Sequence, residues 1–271
     1  MLTADKKQDA KTMSLAEKTQ AEKAENFTRL HVPGNPLVLY NVWDAGSAKA
    51  VVAAGAKAVA TGSASVAGAH GYEDGEQLPL EDVTRTASRI VASVDVPVSI
   101  DFEGGYATDP DSLARNFSDL LSCGVIGCNF EDQIVGGSGL HAPAVQAARI
   151  RALRAAADTA AIPAYINART DIFLNAPLAD HSVSMLDDAL HRAHLYAEAG
   201  ASGFFLPGLA DEKLIEQACK SSPLPVNIMM FSAAPSKERQ AALGVARISH
   251  GPGPWRLAMK AFAEATKAAL A

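Results

Sequence analysis

Hydrophobic and polar positions along the chain follow two alternating rhythms. Short, continuous apolar runs occupy residues 37–40, 58–61, 96–100, 125–130, 164–166, 203–206, 226–230 and 246–248. Runs of that length, with such flanks, are expected of strands covered on both faces, as in a parallel sheet. Between them lie stretches with helical spacing at 47–54, 80–93, 109–122, 144–160, 185–199, 211–220, 237–243 and 254–270. In the second of these, Val83, Ala87, Ile90 and Val91 fall on one stripe. Asp109 and Pro110 open the third with a cap and a first-turn proline. Gly55, Gly124, Gly200 and Gly244 stand just past helix ends, where a left-handed residue closes a helix.

Eight strands alternating with eight helices predict an α/β architecture built on a parallel sheet. In a chain of 271 residues, that count favours a closed (β/α)8 barrel of TIM type over an open doubly wound sheet. An open dinucleotide-binding sheet would carry a Gly-rich turn after its first strand, and here the turn reads Asn41-Val-Trp-Asp-Ala-Gly-Ser47. Residues 25–271 are expected to form one barrel domain. Residues 1–24, rich in Lys, Glu, Ala and Gln, read as a solvated tail running into a helix over 15–29.

Composition narrows the class further. Hydrophobic residues make up 48% and charged residues 20%, an ordinary globular balance. The net charge of −6 argues against a nucleic-acid binder, which carries a basic excess. No apolar stretch is long enough for a membrane span. Cys123, Cys128 and Cys219 have neither disulfide-framework nor zinc spacing, so they read as reduced thiols of a cytoplasmic protein.

In a barrel of this kind, chemistry sits at the C-terminal strand ends. Strand 1 leads into Asn41, Trp43 and Asp44, strand 2 into Ser63, Ala64 and Ser65, and strand 3 into Asp101 and Glu103. Strand 4 leads into Glu131 and Asp132, strand 5 into Asn167, Arg169 and Asp171, strand 7 carries Asn227, and strand 8 leads into Ser249 and His250. Any one carboxylate here has an ordinary explanation as a helix cap or an ion-pair partner. Carboxylates from neighbouring strands gathered at one end repel each other unless a cation joins them. Oxygen ligands without His or Cys suit Mg2+ or Mn2+. Arg169 offers a planar fork for a substrate carboxylate, or a partner for Glu131 or Asp132.

These motifs also resemble the isocitrate lyase/phosphoenolpyruvate mutase superfamily. The matching segments are Asn41 to Ala48, Gly71-Tyr-Glu-Asp-Gly75, Asp101-Phe-Glu-Gly-Gly-Tyr106, Asn129-Phe-Glu-Asp132 and Asn167-Ala-Arg-Thr-Asp171, in the family's order. The resemblance implies a Mg2+ site with Asp101 on the metal and Glu103 and Glu131 acting mostly through bound water. It implies that Ser63, the amides after it and Arg169 hold the substrate carboxylate, and that Asp74 lies on a mobile segment near the substrate. Trp43, Asp44 and Asn227 complete the candidate substrate contacts. It further implies a homotetramer whose last helix, with Trp255, Leu257, Met259 and Phe262, crosses between subunits.

The sequence departs from the family in one loop and, to a minor degree, at Glu103, where the family often has aspartate and a bridging water can take up the extra methylene. Family lyases carry a Lys-Arg/Lys-Cys-Gly-His loop after strand 4, whose cysteine delivers a proton, and the mutases carry a Lys-Thr-Asn-Ser type loop. This chain has Gln133-Ile-Val-Gly-Gly-Ser-Gly-Leu-His141, with no Cys, Lys or Arg. Decarboxylation of an oxaloacetate-like acid needs an electron sink and a proton from water, whereas cleavage of a larger hydroxy acid needs a dedicated acid and base. The expectation is therefore a metal-dependent carbon–carbon lyase or decarboxylase for a small 2-oxo or 2-hydroxy carboxylate. A phosphonopyruvate hydrolase or phosphoenolpyruvate mutase type of enzyme, and a ligand-binding relative with reduced catalysis, remain as alternatives. His141 is either a substitute acid or a surface residue.

Overall fold

The structure, a computed structural model, describes residues 19–271. Residues 1–18, most of the expected tail and the first residues of the helix over 15–29, lie outside the described residues, and residues 20–24 of that tail belong to a helix. The helix is seen from its cap onward: Thr19 accepts from the Glu22 amide and Glu22 answers on the Thr19 amide, which opens α1 (Gln20–Arg29).

Eight parallel strands follow: β1 (Leu37–Leu39), β2 (Val59–Ala60), β3 (Val98–Asp101), β4 (Gly127–Glu131), β5 (Tyr165–Arg169), β6 (Gly203–Leu206), β7 (Val226–Met229) and β8 (Arg247–Ser249). The continuous ladder runs β1-β8-β7-β6-β5-β4-β3-β2. A single parallel bridge, Val42 to Thr61, brings its two ends together, and Asn41 Nδ2 reinforces it on the Thr61 carbonyl at 2.8 Å. The result is the expected (β/α)8 barrel. Connecting helices are α2 (Ala45–Ala53), α3 (Ser63–Ala69), α4 (Leu80–Val91), α5 (Pro110–Ser122), α6 (Pro143–Thr159), α7 (Val183–Glu198), α8 (Glu212–Ser221), α9 (Lys237–Ala242) and α10 (Gly253–Leu270). The glycines expected as helix closers have φ between 89° and 98°. The sequence pattern did not predict α3, because Ser63-Ala-Ser-Val-Ala-Gly-Ala69 has too little apolar contrast to mark a face.

The alternation of side chains within the strands decides where the site stands. Ile100, Cys128, Phe130, Ile166, Ala168, Phe204 and Ile248 join one large apolar core with the helices. The opposite faces of these strands line a polar interior. Arg247 on β8 donates to Asn129 Oδ1 on β4 at 3.0 Å, and these strands lie on opposite sides of the barrel, so the bond crosses its centre. Asn167 Nδ2 reaches the same oxygen at 2.9 Å, and Asn227 exchanges bonds with Ser249. Arg247 is fully buried, and burial lowers its pKa to about 10 against the opposing pull of Tyr165 and Asp101. The α1 helix underlies this column: Ala24 and Phe27 pack on Leu37, Leu39, Ala58, Ala60, Ile126 and Tyr165, and His31 stacks on Tyr165 at 4.1 Å.

Candidate active site

At the end of β3, Asp101 Oδ2 accepts from the Ser63 amide at 3.0 Å, and Asn129 Nδ2 approaches Oδ1 at 3.4 Å. Asn129 presents this amine because its oxygen already serves Arg247 and Asn167, and a guanidinium can only donate. Two residues on, Glu103 is 6% exposed. Its Oε2 accepts from the amides of Gly75 (2.9 Å) and Glu76 (2.8 Å), and the Tyr106 hydroxyl donates to Oε1 at 3.2 Å. Burial, reinforced by the charges of Asp101 and Asp74, raises the Glu103 pKa to about 7. Asp74 is also raised, by burial and then by Asp101, although the Ser63 hydroxyl and the Gly75 amide bond to it.

The ends of β4 and β5 differ. Glu131 Oε2 pairs with Arg169 Nη1 at 2.8 Å. Asp171 takes the other edge of that guanidinium, Nε at 2.5 Å and Nη2 at 2.7 Å. Burial holds the Glu131 pKa well up, against the pull of Arg169. For Arg169 burial acts downward, but Glu131 and Asp171 outweigh it and the guanidinium stays firmly charged. Of the partners expected for Arg169, Glu131 is one; Asp132 is engaged elsewhere, by Arg192 Nη1 at 3.1 Å, the Tyr196 hydroxyl at 2.9 Å and the Asp171 amide at 3.1 Å.

Ser63 and Ala64 form the first turn of α3, where a helix leaves amides without intrahelical partners. The Ser63 amide is turned to Asp101 and the Ser65 and Val66 amides bond the Gly62 carbonyl, so the Ala64 amide is the first-turn donor left without a partner among the described residues. Asp44 stands apart: it caps α2, accepting from the Ser47 amide at 2.7 Å. With Trp43 it borders a separate cavity of about 240 Å³ lined also by His70, Thr86 and Arg89. Asn227 is buried inside the barrel on Ser249. The loop of residues 133–141 folds back on itself through the Gln133–Leu140 bridge, and the His141 backbone is bonded to Asp132 and Arg192. Burial, then the charge of Arg149, lowers the His141 pKa. Cys128 faces the helices, and burial raises its thiol pKa; burial pushes Cys219 up to about 12.

Four supporting residues escaped the sequence reading. Gln146 Nε2 bonds the Glu131 carbonyl at 2.9 Å. Arg149 Nη2 bonds the Gly104 carbonyl at 2.6 Å and that of Ala107 at 3.1 Å. Arg192 and Tyr196 hold Asp132 from α7. All four are buried polar side chains on helix faces that are otherwise apolar, which is the one signal that marks them in the sequence.

Among the described residues, no three Asp, Glu, His or Cys side chains converge closely enough to enclose a metal directly. Asp101 and Glu103 nonetheless offer hard oxygens without an ion-pair partner, close enough for the charge of one to raise the pKa of the other. That set fits a small divalent ion that retains much of its water and meets most carboxylates through it.

A (β/α)8 barrel with an oxygen-rich mouth lined by carboxylates defines the class. The phosphoenolpyruvate phosphomutase family matches residues 27–270, and the chain belongs to that family. A Burkholderia cenocepacia protein provisionally named a phosphonomutase is similar in structure, with a TM-score of 0.90 and 46% identity over 92% of this chain and 99% of that one. An uncharacterised Mycobacterium tuberculosis protein is 32% identical over 90% of this chain and 88% of its own length. The 2-methylisocitrate lyase of Escherichia coli is 28% identical over 76% of this chain and 73% of its own. The chain is thus an enzyme-family member of the isocitrate lyase/phosphoenolpyruvate mutase superfamily, whose members include lyases acting on carboxylates. Among the described residues no helix is long and apolar enough to cross a membrane.

Proposed function

We propose that this protein is a divalent-metal-dependent carbon–carbon lyase or decarboxylase for a small, oxaloacetate-like 2-oxo or 2-hydroxy acid. The observation that carries the reading is the group Asp101, Glu103 and Asp74, oxygen donors that form no ion pair among the described residues, near the guanidinium of Arg169. Asp101 would hold Mg2+ or Mn2+, with Glu103 and Glu131 acting through intervening water. When bound, the ion supplies electrophilic stabilisation of an enolate oxygen.

The chain's own groups do the remaining work. Ser63, Ala64 and Arg169 bind and orient the substrate carboxylate. During decarboxylation the bond to the departing carboxylate breaks, its electron pair moves into the 2-oxo group, and a proton returns to the carbon. Asp74, its pKa raised by burial and by Asp101, holds a proton more readily than an ordinary aspartate. The absence of Cys, Lys and Arg from residues 133–141 favours a reaction that needs no cysteine acid. Trp43, Asp44 and Asn227 complete the proposed substrate contacts, Asp44 while capping α2 and Asn227 while bonded to Ser249.

The identity to the protein provisionally named a phosphonomutase favours one second reading, a phosphonate-processing enzyme. A turnover screen with Mg2+ separates the two. Carbon dioxide or a keto-acid fragment released from oxaloacetate, isocitrate, methylisocitrate or dimethylmalate supports the lyase. Phosphate from phosphonopyruvate, or its rearrangement, supports the second reading. Ligand-dependent thermal stabilisation without turnover would indicate a binding protein. We also propose a homotetramer with α10 exchanged between subunits, because Leu257 and Phe262 are 61% and 71% exposed on a helix that leaves the barrel. Light scattering of the full chain tests this.

A further inference from the structure

Two glutamates hold each other's backbones where residues 71–77 meet the turn after β3. Glu103 Oε2 accepts from the Gly75 and Glu76 amides at 2.9 and 2.8 Å. In return, Glu76 Oε1 accepts from the Tyr106 amide at 2.8 Å, and the Gly104 amide bonds the same carboxylate. The Tyr106 hydroxyl closes the set on Glu103 Oε1 at 3.2 Å. Glu76, Glu103 and Tyr106 adopt φ of 58°, 50° and 58°, three of the four left-handed non-glycine residues among those described. Such backbone is unfavourable for L residues and persists only where surrounding bonds impose it. A Cβ on Gly104 would lie 3.0 Å from Glu76 Oε1, so that carboxylate would have to shift by a few tenths of an ångström to admit one.

The segment has few other anchors. The Tyr72 amide bonds the Ala67 carbonyl at one end, and Leu78 is buried at the other, while residues 71–74 and Gln77 are exposed. Asp74 sits immediately before the clasped amides. Its carboxyl meets the Ser63 hydroxyl beside Asp101. An aspartate at position 103 would be one methylene shorter and would fall short of the Gly75 and Glu76 amides.

We propose that Glu76 and Glu103 are positioning residues, whose reciprocal hydrogen bonds fix residues 71–77 so that the Asp74 carboxyl stands at the metal-side carboxylates. This rests on the reading of Asp74 as part of the working site. Glu103 thereby serves the overlying segment first, and any role toward a metal is secondary to it.

Amide hydrogen exchange on the metal-free protein tests the clasp without substrate. Glu76→Ala and Glu103→Asp should each raise exchange of the peptide covering 71–78 by about tenfold while the barrel strands stay protected. Glu76→Gln, which keeps an oxygen acceptor, should restore protection. A double-mutant cycle then tests the positioning. Glu76→Ala should lower kcat/KM by roughly tenfold alone, yet add less than about threefold to Asp74→Asn, because both remove one function. Unchanged exchange in Glu76→Ala would overturn the clasp, whatever the substrate proves to be. Raised exchange with fully additive losses would overturn action through Asp74. A Glu103→Asp variant with normal exchange but weakened Mn2+ binding would return Glu103 to the metal alone.

Discussion

At the ends of β4 and β5, the buried carboxylates of Glu131, Asp171 and Asp132 each meet a guanidinium or a network attached to one. At the end of β3 and on the segment above it, Asp101, Glu103, Asp74 and Glu76 form no ion pair among the described residues. They are held instead by backbone amides, the Ser63 and Tyr106 hydroxyls and the Asn129 amide. The carboxylates of the first region are buried, so they contribute a fixed electrostatic frame, and breaking it leaves an uncompensated charge. The second leaves negative charge unbalanced, which is costly in isolation and favourable once a cation arrives. One mouth thus combines a rigid half with a half whose stability depends on what it binds.

The sharpest way to break this contrast is to remove Asp101. Asp101→Ala should abolish Mn2+ binding, read by electron paramagnetic resonance, and lower turnover by about 100-fold to 1,000-fold. Chelation of the wild type should do the same, reversibly with Mg2+ or Mn2+. Full activity in metal-free protein would remove the distinction between the two halves.

Arg169→Lys attacks the rigid half at the residue proposed to bind the substrate carboxylate. Lysine offers one point of contact where the guanidinium spans Glu131 and Asp171. Both the melting temperature and kcat/KM should fall, the latter by about 10–150-fold, or about 1.5–3 kcal/mol. A destabilised variant with wild-type KM would take Arg169 out of the substrate site.

Arg192→Met isolates the frame from the chemistry. It strips the buried Asp132 of its cation, so stability from chemical denaturation should drop by roughly 3 kcal/mol. KM should stay near the wild-type value in the folded fraction. A large KM change would mean that the two halves are coupled.

The pH dependence gives the smallest and most specific effect. The Glu103 pKa is raised from 4.5 to about 7, so its protonated form is favoured in the folded state. Its contribution is complete below the unfolded value and is lost as pH rises through the folded one. In chelator, the melting temperature should therefore decline between about pH 4.5 and about pH 7 and then level off. The stabilisation from added Mg2+ should grow over the same range, because the ion competes with the proton. A Mg2+ effect independent of pH would detach Glu103 from the site's charge balance.

Local rhythm in the chain determined the eight strands, nine of the ten α-helices among the described residues and their barrel order, because continuous apolar runs and a 3.6-residue spacing are written in neighbouring positions. It also identified the carboxylates of Asp101, Glu103 and Glu131 and the cation Arg169, because polar residues stand out where apolar runs end. Partner choice was decided only in three dimensions. Arg169 has its ordinary partners in Glu131 and Asp171, while Asp132 goes to Arg192 from a helix 60 residues away. Asp44 looks like the other strand-end carboxylates in sequence but serves a helix cap, and Asn227 points into the barrel. The clasp between Glu76 and Glu103 joins residues 27 apart through left-handed backbone that no local preference favours. Which buried charge is paired, and which is left for a ligand, depends on long-range approach and desolvation, and a linear pattern of residue types contains neither.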